Sequence, residues 1–282
     1  MMILIVTDST SDLPAGLLAE HRVVVVPVNI QFGSESYQEG VTLDASSFYQ
    51  KVDAHNRIPT TSQPSLGQFQ AAYRSLQDDP DTEAILAIHI TGELSGTYES
   101  AVVAAGQMLV EPPITVFDSL SGSMGLGFMV LEAAEMAGRG SSLPVILARL
   151  EALRERMRVY FSLDDLKYGR MSGRVSAAQA LTASLLHIKP MLTVSAGKLV
   201  LVGRVRNRAQ ALRTLIDTLC EQLDDRPARV AVIHAHAPEP AEQVRAVLAQ
   251  RIRASQIIVH ELSVGIAVHL GPGTVGVVGY NL

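Results

Sequence analysis

A chain of 282 residues, 48% hydrophobic with mean hydropathy +0.22 and only 5% aromatic, is long enough for two domains and has an aliphatic interior. Its net charge of −5, with 23 Lys and Arg set among 28 Asp and Glu, argues against a nucleic-acid partner. The single cysteine, Cys220, excludes an internal disulfide and agrees with a reducing cytoplasm.

Residues 2–6 form an apolar run ahead of Asp8-Ser9-Thr10, the pattern of a buried strand. The run is too short, and lacks the basic flank, for a signal peptide. Ser11 or Asp12 is placed to cap a helix with Pro14 in its first turn. A second strand is expected at 23–30, a polar loop with Gly33 and Gly40 at 32–41, and a helix opened by Asp44 or Ser46 through 52. Residues 58–65 read as extended, partly because Pro59 and Pro64 restrict the residues before them. Ser65 then caps a helix at 67–76. Strands at 83–90 and 114–118, with helices at 95–109 and 125–137, complete an alternating β and α series. That series predicts a doubly wound parallel sheet in an α/β fold. Such sheets take ligands at the carboxyl ends of strands, beside helix N-termini, where Ser9, Ser95 and Ser119 fall. The longest apolar stretch, 122–138, is broken by Glu132 and Glu135, so no membrane span is expected.

An amphipathic helix at 141–157, capped by Ser141 or Ser142, bridges to a second half. There the pattern predicts a strand at 159–163, a helix at 177–186, and a hairpin of 191–194 with 198–203. A helix at 209–222, a strand at 229–234, a helix at 240–254 and strands at 256–262 and 274–279 follow. Strands without intervening helices point to a C-terminal α/β domain with a mixed or antiparallel sheet. The expected division is 1–157 and 158–282.

Common enzyme signatures fail on inspection. Gly197-Lys198 lacks both the upstream glycine and the following hydroxyl of a phosphate-binding loop. Gly271, Gly273 and Gly276 match a dinucleotide fingerprint, but too few residues follow to build the helix and strand that it needs. There is neither a G-x-S-x-G elbow nor an H-E-x-x-H helix. His234 and His236 have no cysteine or paired carboxylates beside them, so no metal and no cofactor are expected. Asp8 and Asp118 read as turn-forming caps.

What remains is a set of hydroxyls, glycine-flanked amides and one imidazole. The segment 60–65 packs five hydroxyl or amide side chains into six residues and is either a surface turn or a rigid hydroxyl cradle. Ser95-Gly96 opens a helix, as a simple cap or as an anion site where a glycine admits close approach. His269 precedes Gly271-Pro272-Gly273 and is either a core histidine or a ligand-facing imidazole. Arg170, Arg174, Arg204, Arg206 and Arg208 form the local basic cluster, a solvated face or a docking surface for an acidic partner or nucleotide phosphates. The set is suited to holding a carboxylate or phosphate.

In this order and spacing, the motifs resemble the DegV family of bacterial fatty-acid-binding proteins. The resemblance rests on Ile5-Val6-Thr7-Asp8-Ser9-Thr10, Thr61-Ser62-Gln63-Pro64-Ser65, Leu94-Ser95-Gly96-Thr97-Tyr98-Glu99-Ser100-Ala101 and Val116-Phe117-Asp118-Ser119. It continues through Gly173-Arg174-Val175-Ser176, Ile188-Lys189-Pro190 and His269-Leu270-Gly271-Pro272-Gly273. The chain departs from the family where Thr91-Gly92 replaces a frequent serine pair and Ser172-Gly173 a frequent glycine pair. The resemblance implies two α/β domains with a long-chain fatty acid between them. It also implies a role as the acyl-carrying subunit of fatty acid kinase, whose separate ATP-binding subunit phosphorylates the carboxylate. Matched motif to motif, Thr61, Ser62, Ser95 with Gly96, and His269 would hold the carboxylate. Arg174, with Arg204 or Arg206, would engage the kinase subunit.

The physics agrees with such a ligand. Burying about fourteen methylenes contributes on the order of 11 kcal/mol before ordering costs. Two or three hydroxyls and an imidazole satisfy a buried carboxylate. Two rival classes are a small esterase using Ser95 with His269, which lacks the elbow and a clear orienting acid, and a sugar or nucleotide binder. The latter calls for more aromatic and Asn side chains than this chain has.

Overall fold

The structure, a computed structural model, describes residues 2–55, 57–77, 80–108, 112–175 and 188–282. The helix expected at 177–186, Ser176 of the Gly-Arg motif and the last residue of the helix expected at 95–109 lie outside the described residues. The chain divides into two compact units, Met1–Glu155 and Arg156–Leu282.

The first unit is built on a four-stranded parallel sheet. Its strands are β1 (Met2–Asp8), β2 (Val24–Val26), β6 (Thr82–His89) and β7 (Ile114–Asp118), in the order β2-β1-β6-β7. Parallel strands with helices on both faces are apolar throughout, and the cores of β1 and β6 are buried on alternating sides alike. One face packs Val6, Val26, Ile85 and Ala87 against Phe69 and Tyr73 of α3 (Leu66–Gln77) and Ala101 and Ala104 of α4 (Thr97–Gly106). The other is covered by α5 (Met124–Gly138), so apolar that it is buried almost all round in its first ten residues. Remaining elements of the unit are α1 (Ala15–Glu20), α2 (Ala45–His55), whose first turn Asp44 caps through Ser47 N at 2.7 Å, and α6 (Leu143–Arg156).

A small antiparallel sheet stands apart from this one, with β3 (Asn29–Phe32) between β4 (Glu35–Gln38) and β5 (Thr60–Ser62). The single strand expected at 23–30 is therefore two strands in two sheets, and the polar loop expected at 32–41 is largely a hairpin. Gly33, at φ +65, supplies the left-handed residue of its turn. The helix expected after Ser11 or Asp12 begins later. Residues Ser9–Ser11 make a 3-10 turn capped by Asp8, with Asp12 left-handed at φ 53, and α1 starts after Pro14.

The second unit is a six-stranded mixed sheet in the order β10-β9-β8-β13-β11-β12. Its strands are β8 (Arg158–Ser162), β9 (Lys189–Ser195), β10 (Lys198–Val205), β11 (Ala228–His234), β12 (Ala254–Glu261) and β13 (Val275–Asn281). Only the β11–β12 pair is parallel. Helices α8 (Arg208–Gln222) and α9 (Pro238–Arg251) close one core, where Leu215, Leu219, Val244 and Leu248 meet Val230, Val232, Val275 and Val277. Two short helices, α7 (Lys167–Ser172) and α10 (Val264–Leu270), are the other elements of the unit among the described residues.

Candidate functional site

The hydroxyl segment at 60–65 is an extended edge of the small sheet. Register pairs Ser62 with Asn29 and Thr61 with Ile30, and Asn29 Nδ2 donates to Gln63 O at 3.1 Å. Thr60 is exposed; Thr61 and Ser62 are half-buried. Ser65 then starts α3 with reciprocal bonds. Gln68 N donates to its hydroxyl at 3.3 Å, and Ser65 N donates to Gln68 Oε1 at 3.0 Å. The segment is thus held in place from both ends, as a cradle requires.

The segment at 94–97 lies directly beside it. A Cβ on Gly96 would fall 3.2 Å from both Cδ and Nε2 of Gln63, so the glycine allows the two hydroxyl segments to touch. Ser95 is half-buried, its Oγ 2.8 Å from Thr97 Oγ1 and accepting from Thr97 N at 3.3 Å. Gly96 is the N-cap of α4 and offers no side-chain cap. The structure therefore sets the Gln63 side chain, next to Ser62 in the chain, against Gly96 at the positive end of a helix.

The aspartates work as turn formers. Asp118 accepts from Leu120 N at 2.8 Å and Gly92 N at 3.3 Å. Ser9, which the sequence leaves open to a ligand, donates to Glu39 Oε2 at 2.6 Å and accepts from Val28 N at 3.1 Å. Asp8 does more than cap. One oxygen accepts from the amide and hydroxyl of Thr10; the other lies 3.0 Å from both Ile90 N and His89 Nδ1. Burial raises the Asp8 pKa, but His89, Thr10 and Ile90 more than offset this and hold it below the usual carboxylate range. His89 escapes sequence reasoning because it ends an otherwise aliphatic strand and its partner lies 81 positions earlier. Only an ionisable residue at each of two adjacent strand ends hinted at it.

His269 lies in the last turn of α10. The Gly-Pro-Gly turn after it folds onto the region around α7. Gly271 has φ +83, and a Cβ there would sit 2.6 Å from the Tyr168 ring. A Cβ on Gly273, at φ +80, would meet Asp164 Cβ at 2.8 Å. Arg208 donates to the Gly273 carbonyl, and Lys189 donates to Asp164 Oδ1 at 2.6 Å and to its carbonyl at 2.9 Å. Burial, and next the positive charge of Arg174, push the His269 pKa down to about 4. The imidazole is neutral at pH 7.

The basic residues do not form one tight cluster. Arg208 is half-buried against the Gly273 carbonyl. Arg174 is exposed, donates to Ser172 O at 2.7 Å, and precedes a bridge from Val175 to Leu199 near the start of β10. Arg204 and Arg206 lie exposed at the far end of that strand and just beyond it. His234 Nδ1 accepts from Ala237 N at 3.4 Å, and His236 N donates to Glu261 Oε1 at 3.3 Å, contacts that shape the turn after β11. No described helix is long and apolar enough to cross a membrane.

Residues 2–281 match the model of a family described as "Uncharacterised protein, DegV family". A DegV domain-containing protein of Deinococcus radiodurans is 39% identical over 279 residues, 98% of each chain. Among solved structures, a DegV family protein from Thermus thermophilus, named for fatty acid binding, superposes with TM-score 0.93 at 36% identity over the whole of both chains. DegV of Bacillus subtilis, named a fatty acid binding protein, superposes with TM-score 0.88 at 34% identity, again over both whole chains.

Proposed function

Since the chain belongs to the DegV family, we propose that it binds one long-chain fatty acid and presents the carboxylate to a separate ATP-dependent kinase subunit. In this reading Thr61, Ser62, Ser95 and the amides after Gly96 hold the carboxylate together with His269. Arg174, with Arg204 and Arg206, forms the face that the kinase subunit meets. The work is done in the cytoplasm.

The observation that carries the reading is the contact of the two hydroxyl segments. Gln63 of the first segment packs against Gly96 at the start of α4, and hydrogen bonds at Gln63 and Ser65 hold that segment's backbone. An anion at that point gains from the helix dipole and from hydroxyl donors together. The neutral imidazole adds a donor without a counter-charge that would have to be buried when the site is vacant. In the transfer, a carboxylate oxygen attacks the γ-phosphorus of ATP, the bond to the β-phosphate oxygen breaks, and ADP leaves. This chain's contribution is to aim the nucleophile; charge neutralisation at the phosphates belongs to the partner.

The test is to purify the full chain, record its native mass, and identify what an organic solvent extracts. A stoichiometric long-chain fatty acid supports the reading. Protein that carries none and takes up no added palmitate or oleate overturns it. Ester hydrolysis by the chain alone, lost in Ser95→Ala, would move the assignment to the esterase class.

A further inference from the structure

Arg154 lies near the end of α6. Its guanidinium covers the Phe117 ring, 3.9 Å from the centroid. Both Nε, at 2.9 Å, and Nη2 donate to one acceptor, the Asp118 carbonyl. The side chain is half-buried, and what it grips is a carbonyl and a ring rather than a carboxylate. A planar fork set this way fixes the direction of a peptide.

That peptide stands where the sheet ends. Strand β7 is the edge of the parallel sheet, and Ser119 N donates inward to His89 O at 3.1 Å. In a trans peptide this turns Asp118 O outward, off the edge, where no strand of the sheet pairs with it. The chain leaves the strand through an uncommon backbone, with Leu120 left-handed at φ 49. Asp118 Oδ1 accepts from Leu120 N at 2.8 Å, and Oδ2 from Gly92 N at 3.3 Å. Ser121 O accepts from Thr91 N at 2.9 Å. Thr91 O accepts in turn from Leu94 N at 3.2 Å and from Ser95 N at 3.3 Å. The turn that carries Ser95 therefore rests on residues 118–121, and that loop is tied to α6 at its first peptide. Glu99 of α4 closes the other side, so near that a Cβ on Gly92 would fall 2.6 Å from its Oε1.

Resting on the fatty-acid reading above, we propose that Arg154 is a positioning residue: through Asp118 and the 91–95 turn it fixes where the Ser95 hydroxyl stands. Without the fork, the Asp118 peptide turns more freely at the sheet edge. The bonds from Asp118 and Ser121 to the 91–95 turn then lose their fixed reference, and the Ser95 donor strays from the line to the carboxylate. The consequence is specific to the head group. A misplaced donor matters most against a charged acceptor, little against a neutral one, and not at all once the donor is gone. A side chain that only steadied the fold would weaken every ligand alike.

The test is equilibrium dialysis of the full chain with palmitate and with hexadecanol, which has the same chain length and a neutral head. It is run on the wild type, Arg154→Met, Ser95→Ala and the double variant. Methionine keeps an apolar stem against Phe117 and removes the fork. Arg154→Met is expected to weaken palmitate binding by about tenfold, the scale of coupling between linked residues. Hexadecanol binding should stay nearly unchanged, and Arg154→Met should add no further loss where Ser95 is already alanine. An equal loss for both ligands, an additive loss in the double variant, or no loss at all overturns the positioning role and leaves fatty-acid binding standing. A wild type that takes up no palmitate, or whose palmitate affinity ignores Ser95, overturns the head-group reading and this role with it. Should Arg154→Met not fold, the same comparison on Arg154→Lys decides, since lysine keeps the charge and the stem but not the two-pronged grip.

Discussion

At the scale of single residues, the head-group reading makes Ser95 and His269 separable. Ser95→Ala and His269→Ala are each expected to weaken fatty-acid binding by about 10- to 100-fold, the worth of one hydrogen bond to a charged group. Equilibrium dialysis with labelled palmitate measures this, and unchanged affinity removes the residue from the site. His269 also links stability to pH. Its folded pKa of about 4 lies below its ordinary 6.5, so the unfolded chain binds the proton first. The stability it contributes is complete above pH 6.5 and drains away towards pH 4, by up to about 3 kcal/mol. Urea midpoints across that window should slope more gently in His269→Gln than in the wild type. Gly271→Ala forces a side chain into a left-handed turn and against Tyr168, and is expected to cost about 1–3 kcal/mol in the same assay. Such positions were legible in the sequence as glycine punctuation. His89 was not, because an aliphatic strand hides one polar residue and burial is a property of the fold rather than of the neighbours in sequence.

Between elements, α5 approaches the turn after β1 closely at Gly127. A Cβ on Gly127 would fall 2.4 Å from the Ser11 carbonyl oxygen and 3.1 Å from Met124 Sδ. Gly127→Ala must push helix and turn apart, and is expected to lower stability by about 1–3 kcal/mol. Thermal unfolding of the variant, with Gly106→Ala as control, checks it. The control meets nothing within 4 Å, so its loss of stability should be absent or reversed. The alternating strands and helices of this unit were readable because each is long enough for its period to show. The β3–β4 hairpin was not, since a narrow ribbon with one wet face and a glycine turn has the composition of a loop. Helix α10 escaped for the opposite reason. Five of its seven residues are buried, and an apolar run that short has no face to betray its period.

For the whole molecule, a ligand that binds only the folded state adds its binding energy to folding. Fatty acid present at a hundred times its dissociation constant is expected to raise stability by about 2.7 kcal/mol, with a melting temperature that climbs with concentration. Scanning fluorimetry of delipidated protein with and without palmitate measures it; a flat response removes fatty acid as the ligand. The family was legible from sequence because seven short motifs held their order, although none was specific alone. The order of strands in the second sheet was not legible, since pairing between distant segments leaves no local trace. That order bears on how the protein is made. The strand that joins the two halves of the sheet, β13, lies between β8 and β11 yet is later in the chain than either. During synthesis the β8–β9–β10 and β11–β12 groups must wait as separate pieces with open apolar edges until residues 275–281 leave the ribosome. The first unit, Met1–Glu155, has been synthesised in full by then. Nascent chains of the second unit are accordingly the ones expected to occupy chaperones.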